Sequence, residues 1–293
     1  MATAAQWIQG ARPRTLPMAI APVVVGSAAA FALGSFRPFL AVLAALVGIL
    51  FQVGVNYAND YSDGVRGTDD QRVGPLRLTA SGAAPARNVK QAAFLCFGLA
   101  MLAGLLLVIL SRTWPLLLVG IGCVIAAWGY TGGRNPYGYR GLGEIFVFIF
   151  FGIVATMGTT YTQALQVSWP SFIGAVGTGL IATALLMANN VRDIPTDREV
   201  GKRTLAVRLG DEAARISYVM MLAVAVLLPL ALTPDYPWVL LVLLLVPLCL
   251  QPSWTMLKSQ QRQNLIPVLQ QTGMINLGFA LTYGLGLVLS TVV

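Results

Sequence analysis

Long apolar runs broken by polar segments of unequal length make up this chain. A helix needs about twenty apolar residues to cross a membrane. On that scale crossings are predicted near 15–34, 38–59, 90–110, 114–131, 143–164, 170–191, 214–232, 237–256 and 270–291, nine in all. The expected fold is all-α, with residues 1–293 forming a single polytopic transmembrane domain. The connections alternate in length: 35–37 and 233–237 are short, whereas 60–89 and 192–213 are long. Arg12 and Arg14, the apolar run from Leu16 and the small residues 27–30 imitate a cleavable signal peptide. Because the run continues through Phe31 and Leu33, an uncleaved first span is expected instead.

Composition agrees with this reading. Hydrophobic residues make up 57%, charged residues 10%, and the mean hydropathy is +0.74; a soluble domain would carry about 25% charged residues. If the chain starts in the cytoplasm, 17 of the 19 Lys and Arg lie inside, Arg37 and Arg112 being the exceptions. Ten of the 11 Asp and Glu share that side, all but Asp235. The inner face therefore carries the function, and the net charge of +8 suits an anionic lipid surface or substrate. The chain has no histidine, which excludes an imidazole base, a histidine metal ligand and a serine–histidine relay. Cys96, Cys123 and Cys249 lie in apolar runs without CxxC pairing, as small buried or lipid-facing residues do.

Against so few charges, the segment 56–63 stands out. If the helix from Pro38 continues through it, Asn56, Asn59, Asp60 and Asp63 fall within an arc of roughly 100°. Carboxylates so close on one face raise each other's pKa unless a cation neutralises them, and an all-oxygen set suits a hard divalent ion, Mg²⁺ first. A second cluster, Asn189 to Asp197, repeats Asn-x-x-x-Asp at the inner end of the sixth span. Pro195 is expected to break or kink the helix between Asp193 and Asp197. Basic stretches follow both clusters, and Arg77, Arg134, Lys202 and Arg203 are candidate phosphate contacts. Arg215, Lys258 and Arg262 are assigned to orientation. Without a Walker A loop or kinase signature, the expected phosphate carrier is a membrane-dissolved isoprenoid diphosphate rather than ATP. Tyr57, Tyr61 and Tyr130 read as membrane-interface aromatics. The rival class, a transporter, would place its polar groups near mid-membrane, whereas these clusters sit at one face.

The two motifs, Asn59-Asp-Tyr-Ser-Asp63 and Asp193-x-x-x-Asp197, resemble those of the intramembrane aromatic prenyltransferases, the UbiA-like family of ubiquinone and menaquinone synthesis. The likeness spans the whole chain. It implies nine helices around a central cavity, Mg²⁺ and a polyprenyl diphosphate held by the two motifs, and alkylation of an aromatic ring. The implied metal ligands are Asn59, Asp60, Asp63, Asp193 and Asp197, the four acids being catalytic. Asn56, Asn59, Asp69, Arg77, Arg134, Asn189, Lys202 and Arg203 are implied to bind substrate. Where the common motif has a third acid, this chain has Gly67, and Asp69 follows two residues later. That spacing, with Arg12-Pro-Arg-Thr-Leu-Pro17 and Gly201-Lys-Arg-Thr-Leu-Ala206, resembles the branch acting on naphthalene rings. It implies 1,4-dihydroxy-2-naphthoate as acceptor, loss of its carboxyl as CO₂ and demethylmenaquinol as product; 4-hydroxybenzoate is the alternative acceptor.

Overall fold

The computed structural model of the protein describes residues 2–68 and 76–293; Asp69 lies outside the described residues. Among these, all regular structure is helical: α1 (Ala4–Ala11), α2 (Pro17–Ala32), α3 (Pro38–Arg66), α4 (Ala86–Ser111), α5 (Leu116–Gly129), α6 (Gly143–Ala164), α7 (Trp169–Glu199), α8 (Leu205–Leu209), α9 (Asp211–Leu232), α10 (Pro237–Lys258) and α11 (Leu265–Val292). Each of the nine predicted crossings coincides with one of these helices. Seven are long and apolar enough to span a membrane alone, and α2 joins the segment before it at a 46° bend. The exception is α5, whose 14 residues at about 1.5 Å each fall short of a hydrocarbon core of about 30 Å.

Proline opens α2, α3, α7 and α10 within their first two positions, where a missing N–H costs nothing. Gly67 closes α3 in the left-handed conformation at φ +71°. The central helix is α7: 72% of its most apolar window is buried, against 28–44% for the other spans. Its sequence explains this, because Gly174, Ala175, Gly177, Gly179, Ala182 and Ala184 present almost no side chain and let neighbouring helices close in. Phe279 and Tyr283 of α11 stack on one another and fill the space over Gly177 and Gly174. On another side Gly152 of α6 meets Gly179: a Cβ at Gly152 would lie 2.5 Å from Gly179 Cα and 2.7 Å from Ala175 O. Both are backbone atoms that cannot turn aside. Gly152→Val is therefore expected to cost at least about 1–3 kcal/mol, seen as a lower thermal midpoint of the purified protein.

Two departures from the expectation bear on function. The connections expected from 60 and from 192 begin later, because α3 and α7 run on to Arg66 and Glu199, so the helix read through Asn56 to Asp63 holds and the second cluster is helical as well. And Pro195 does not break α7. An internal proline costs about 3 kcal/mol, partly because the carbonyl four residues earlier loses its donor. Here that carbonyl is Val191 O, and Arg262 Nη1 donates to it at 2.9 Å. A hydrogen bond from a charged donor contributes about 1.5–3 kcal/mol, enough to offset much of the penalty. Arg262 also pairs with Asp211, which accepts from Arg215 Nε at 2.7 Å, while Arg215 donates to Met256 O. Arg215 and Arg262 thus tie α7, α9, α10 and α11 together, beyond the orienting role read from sequence. With α7 intact, Asp193 and Asp197 stand one turn apart on one face.

Candidate active site

A cavity of about 920 Å³ runs through the bundle from Asp63 and Lys202 at one end to Ala44, Leu107, Leu116 and Thr162 near the other. Its long walls are apolar. Val47, Phe51, Met101, Leu105, Gly120 and Cys123 come from α3, α4 and α5, and α6 contributes Phe146, Phe150, Phe151 and Val154. The lining residues of α6 recur about every four positions, a period longer than the 3.6 of an α-helix. A π-helical turn over Phe148–Val154 widens the repeat and keeps these side chains on one face.

The polar end is built by the ends of α3 and α7 and the segments beside them. Asp63, 4% exposed, accepts from the Tyr139 hydroxyl at 2.6 Å through Oδ1. Its Oδ2 lies 4.0 Å from Lys202 Nζ, and Asp197 Oδ1 lies 3.9 Å from the same nitrogen. One ammonium therefore stands between the two acidic motifs, which are 134 positions apart in sequence. Lys202 also lies over the Tyr139 ring at 4.7 Å, with Arg66 at 5.3 Å from that ring. Burial, and then the Asp63 carboxylate, raise the Tyr139 pKa, so the phenol stays a hydrogen-bond donor at neutral pH.

The other expected residues divide. Asn59 lines the cavity and accepts from Thr131 Oγ1 at 2.7 Å. Asn189 lines it as well, and its Oδ1 takes Arg192 Nη2 at 2.9 Å. Arg77, buried, is a third lining residue. Asn56 lines it too, but its amide is committed: Nδ2 donates to Ala11 O at 2.9 Å and Thr15 Oγ1 at 3.0 Å, binding the segment after α1 to α3. Asp60 is absent from the cavity wall. Its two oxygens accept the backbone N–H groups of Leu78 and Thr79, both at 2.8 Å, so it clamps the turn that carries Arg77. Asp193 holds Arg192 in a two-pronged pair at 2.7 Å, and it is Arg192 that reaches the cavity. Arg134 and Arg203 are exposed and do not line it.

Arg12, Arg14, Asn190 and Arg192, which were not among the expected site residues, line the cavity, as does Tyr130, expected as a membrane-interface aromatic. Tyr57 is buried, its hydroxyl donating to Trp7 O at 2.9 Å. Arg192 had a legible signal, its place beside Asp193; Arg12 and Tyr130 depend on how distant segments fold back.

The donor chemistry fits a hard cation. Asp63, Asn59 and Asn189 in the cavity wall offer oxygen donors, as does Asp197, which does not line the cavity but lies 3.9 Å from Lys202 Nζ, and that ammonium marks where positive charge is held between the motifs. Among the described residues no three acidic side chains converge into a ready-made metal cage.

The profile of the UbiA prenyltransferase family matches residues 19–283. The chain is 51% identical over 281 residues to the 1,4-dihydroxy-2-naphthoate octaprenyltransferase of Mycobacterium tuberculosis, covering 96% of each chain. It is 38% identical to the Haemophilus influenzae protein of the same name, over 97% of this chain and 96% of that one. A solved UbiA homolog from Aeropyrum pernix superimposes with a TM-score of 0.67 at 17% identity, over 92% of this chain and 97% of the other. One from Archaeoglobus fulgidus, bound to GPP and Mg²⁺, does so at 0.64 and 16%, over 97% and 99%. The arrangement of helices is thus shared with these structures.

Proposed function

This chain belongs to the UbiA prenyltransferase family, and from that premise we propose that it transfers a polyprenyl group from a long-chain prenyl diphosphate to 1,4-dihydroxy-2-naphthoate, releasing diphosphate and CO₂ and forming demethylmenaquinol. The observation that carries this reading is the two-part cavity: a cationic, carboxylate-bearing end joined to an apolar channel running most of the bundle's length. A polyprenyl diphosphate has the same two parts. The relatives named for this activity share 38–51% of their residues over nearly the whole chain.

Charge development dictates the roles. Breaking the allylic C–O bond leaves negative charge on diphosphate, which Lys202, Arg77 and Arg192 are placed to receive. The positive prenyl carbon finds the π faces of Tyr130, Tyr137 and Phe146 in the wall. Asp63 and Asp197, with the oxygens of Asn59 and Asn189, would hold Mg²⁺, which neutralises the leaving diphosphate when bound. The apolar channel excludes water that would otherwise capture the cation. If attack comes from the carboxylate-bearing ring carbon, the electrons of the C–CO₂ bond restore the aromatic ring, and no net proton needs to be removed. A chain without histidine can run such a reaction. The distribution of Lys and Arg supports placement in the cytoplasmic membrane with this end of the cavity facing the cytoplasm.

The test is a competition assay. Purified protein with Mg²⁺, a long prenyl diphosphate and both 1,4-dihydroxy-2-naphthoate and 4-hydroxybenzoate is expected to give mainly the decarboxylated prenyl-naphthalenediol by mass. Predominant prenyl-hydroxybenzoate would overturn the acceptor while leaving prenyl transfer standing.

A further inference from the structure

Glu144 stands in the first turn of α6 and is only 3% exposed. A carboxylate this deep in an apolar bundle is costly unless its oxygens are satisfied. Its compensation is specific and incomplete. Oε1 accepts from Asn190 Nδ2 at 2.8 Å, while Oε2 is buried with no hydrogen bond among the described residues. The bond is made by the amide nitrogen, so Nδ2 is turned toward Glu144 and the carbonyl Oδ1 away from it. Asn190, 6% exposed, lines the cavity, and its Oδ1 takes no hydrogen bond from any described residue.

A fixed acceptor atom in the cavity wall selects among substrate groups. Diphosphate at neutral pH offers acceptors, the prenyl chain is apolar, and the only hydrogen-bond donors among the reactants are the ring hydroxyls of the aromatic acceptor. Resting on the acceptor class given above, we propose that Asn190 Oδ1 receives a hydroxyl of the aromatic substrate and that Glu144 is the positioning residue that holds the amide in that orientation. Glu144 thus acts through Asn190 and does not touch the substrate itself. The ring would then be held on the α7 side of the cavity, beside the Asn189 to Asp197 turn that faces the diphosphate end.

Steady-state kinetics with each substrate varied separately test this on the purified, membrane-reconstituted protein with Mg²⁺. Asn190→Ala and Glu144→Leu should each raise the KM for 1,4-dihydroxy-2-naphthoate roughly tenfold, the value of one hydrogen bond lost in a buried site. The KM for prenyl diphosphate should stay within about twofold, which also reports an intact cavity. Glu144→Gln keeps an amide oxygen able to accept from Asn190 Nδ2 and should restore nearly wild-type KM. The double variant should be no worse than Asn190→Ala alone. Removing one ring hydroxyl from the substrate should penalise the wild type and not Asn190→Ala. Unchanged naphthoate KM in Asn190→Ala, equal rises in both KM values, or an additive double variant would each overturn the assignment. A wild-type protein that prenylates no hydroxynaphthoate would fail the acceptor reading and overturn this assignment with it.

Discussion

Asp63→Asn is expected to lower kcat by roughly 100- to 1,000-fold, the range seen when one preorganised electrostatic group is lost from an active site. Asp63 makes two different contacts, and the substitution separates them. Its Oδ1 accepts the Tyr139 hydroxyl at 2.6 Å, a bond that an asparagine oxygen can still take. Its Oδ2 faces Lys202 at 4.0 Å, and there the loss of a full negative charge matters. Without it, Lys202 would be held by Asp197 alone, and the site could no longer gather the cation that the leaving diphosphate needs. Because the side-chain shape and the Tyr139 contact survive, thermal stability should change little. Purified variants assayed for turnover and for unfolding midpoint decide it: a variant that fails to fold, or one that keeps wild-type turnover, would remove Asp63 from the chemistry.

The second large effect is metal removal. Adding diphosphate to Asp63 and Asp197 places further negative charge against two carboxylates that share one ammonium. Negative charges this close repel one another and the substrate unless a divalent ion intervenes. EDTA should therefore abolish activity, and excess Mg²⁺ should restore it. Mg²⁺ and a non-hydrolysable prenyl diphosphate analogue together should also raise the unfolding midpoint more than either alone, because each binds better once the other is in place. Full turnover in metal-free buffer would sink the metal role whatever the binding data.

Asp60 and Asp63 show where pattern reading stops. Both lie on one polar arc of α3, three positions apart, and periodicity gives them the same standing. Tertiary structure separates them: the turn at 78 and 79 brings two backbone N–H groups to Asp60 and uses both its oxygens, while Asp63 is left for the cavity. Arg134 and Arg203 illustrate the same limit from the other side. Each sits in a basic segment next to the motifs, yet each points to solvent, whereas Lys202, the immediate neighbour of Arg203, lies between the carboxylates.

What the sequence determined by itself was the set of helices, the membrane as their solvent, and the two acidic motifs that mark one end of the bundle. These follow from local rules: run length, proline and glycine at helix ends, and a helical period that needs no knowledge of neighbours. Only the tertiary structure decided which polar side chains face a common space. It carried α7 past Pro195 by supplying Arg262 to Val191 O, turned Asn190 by means of Glu144, and brought Tyr130 and Arg12 into the cavity wall. The physical reason is that each of these depends on a partner far away in sequence. A hydrogen bond or an ion pair acts over a few ångströms in space, and the chain writes down only the order in which its residues are joined.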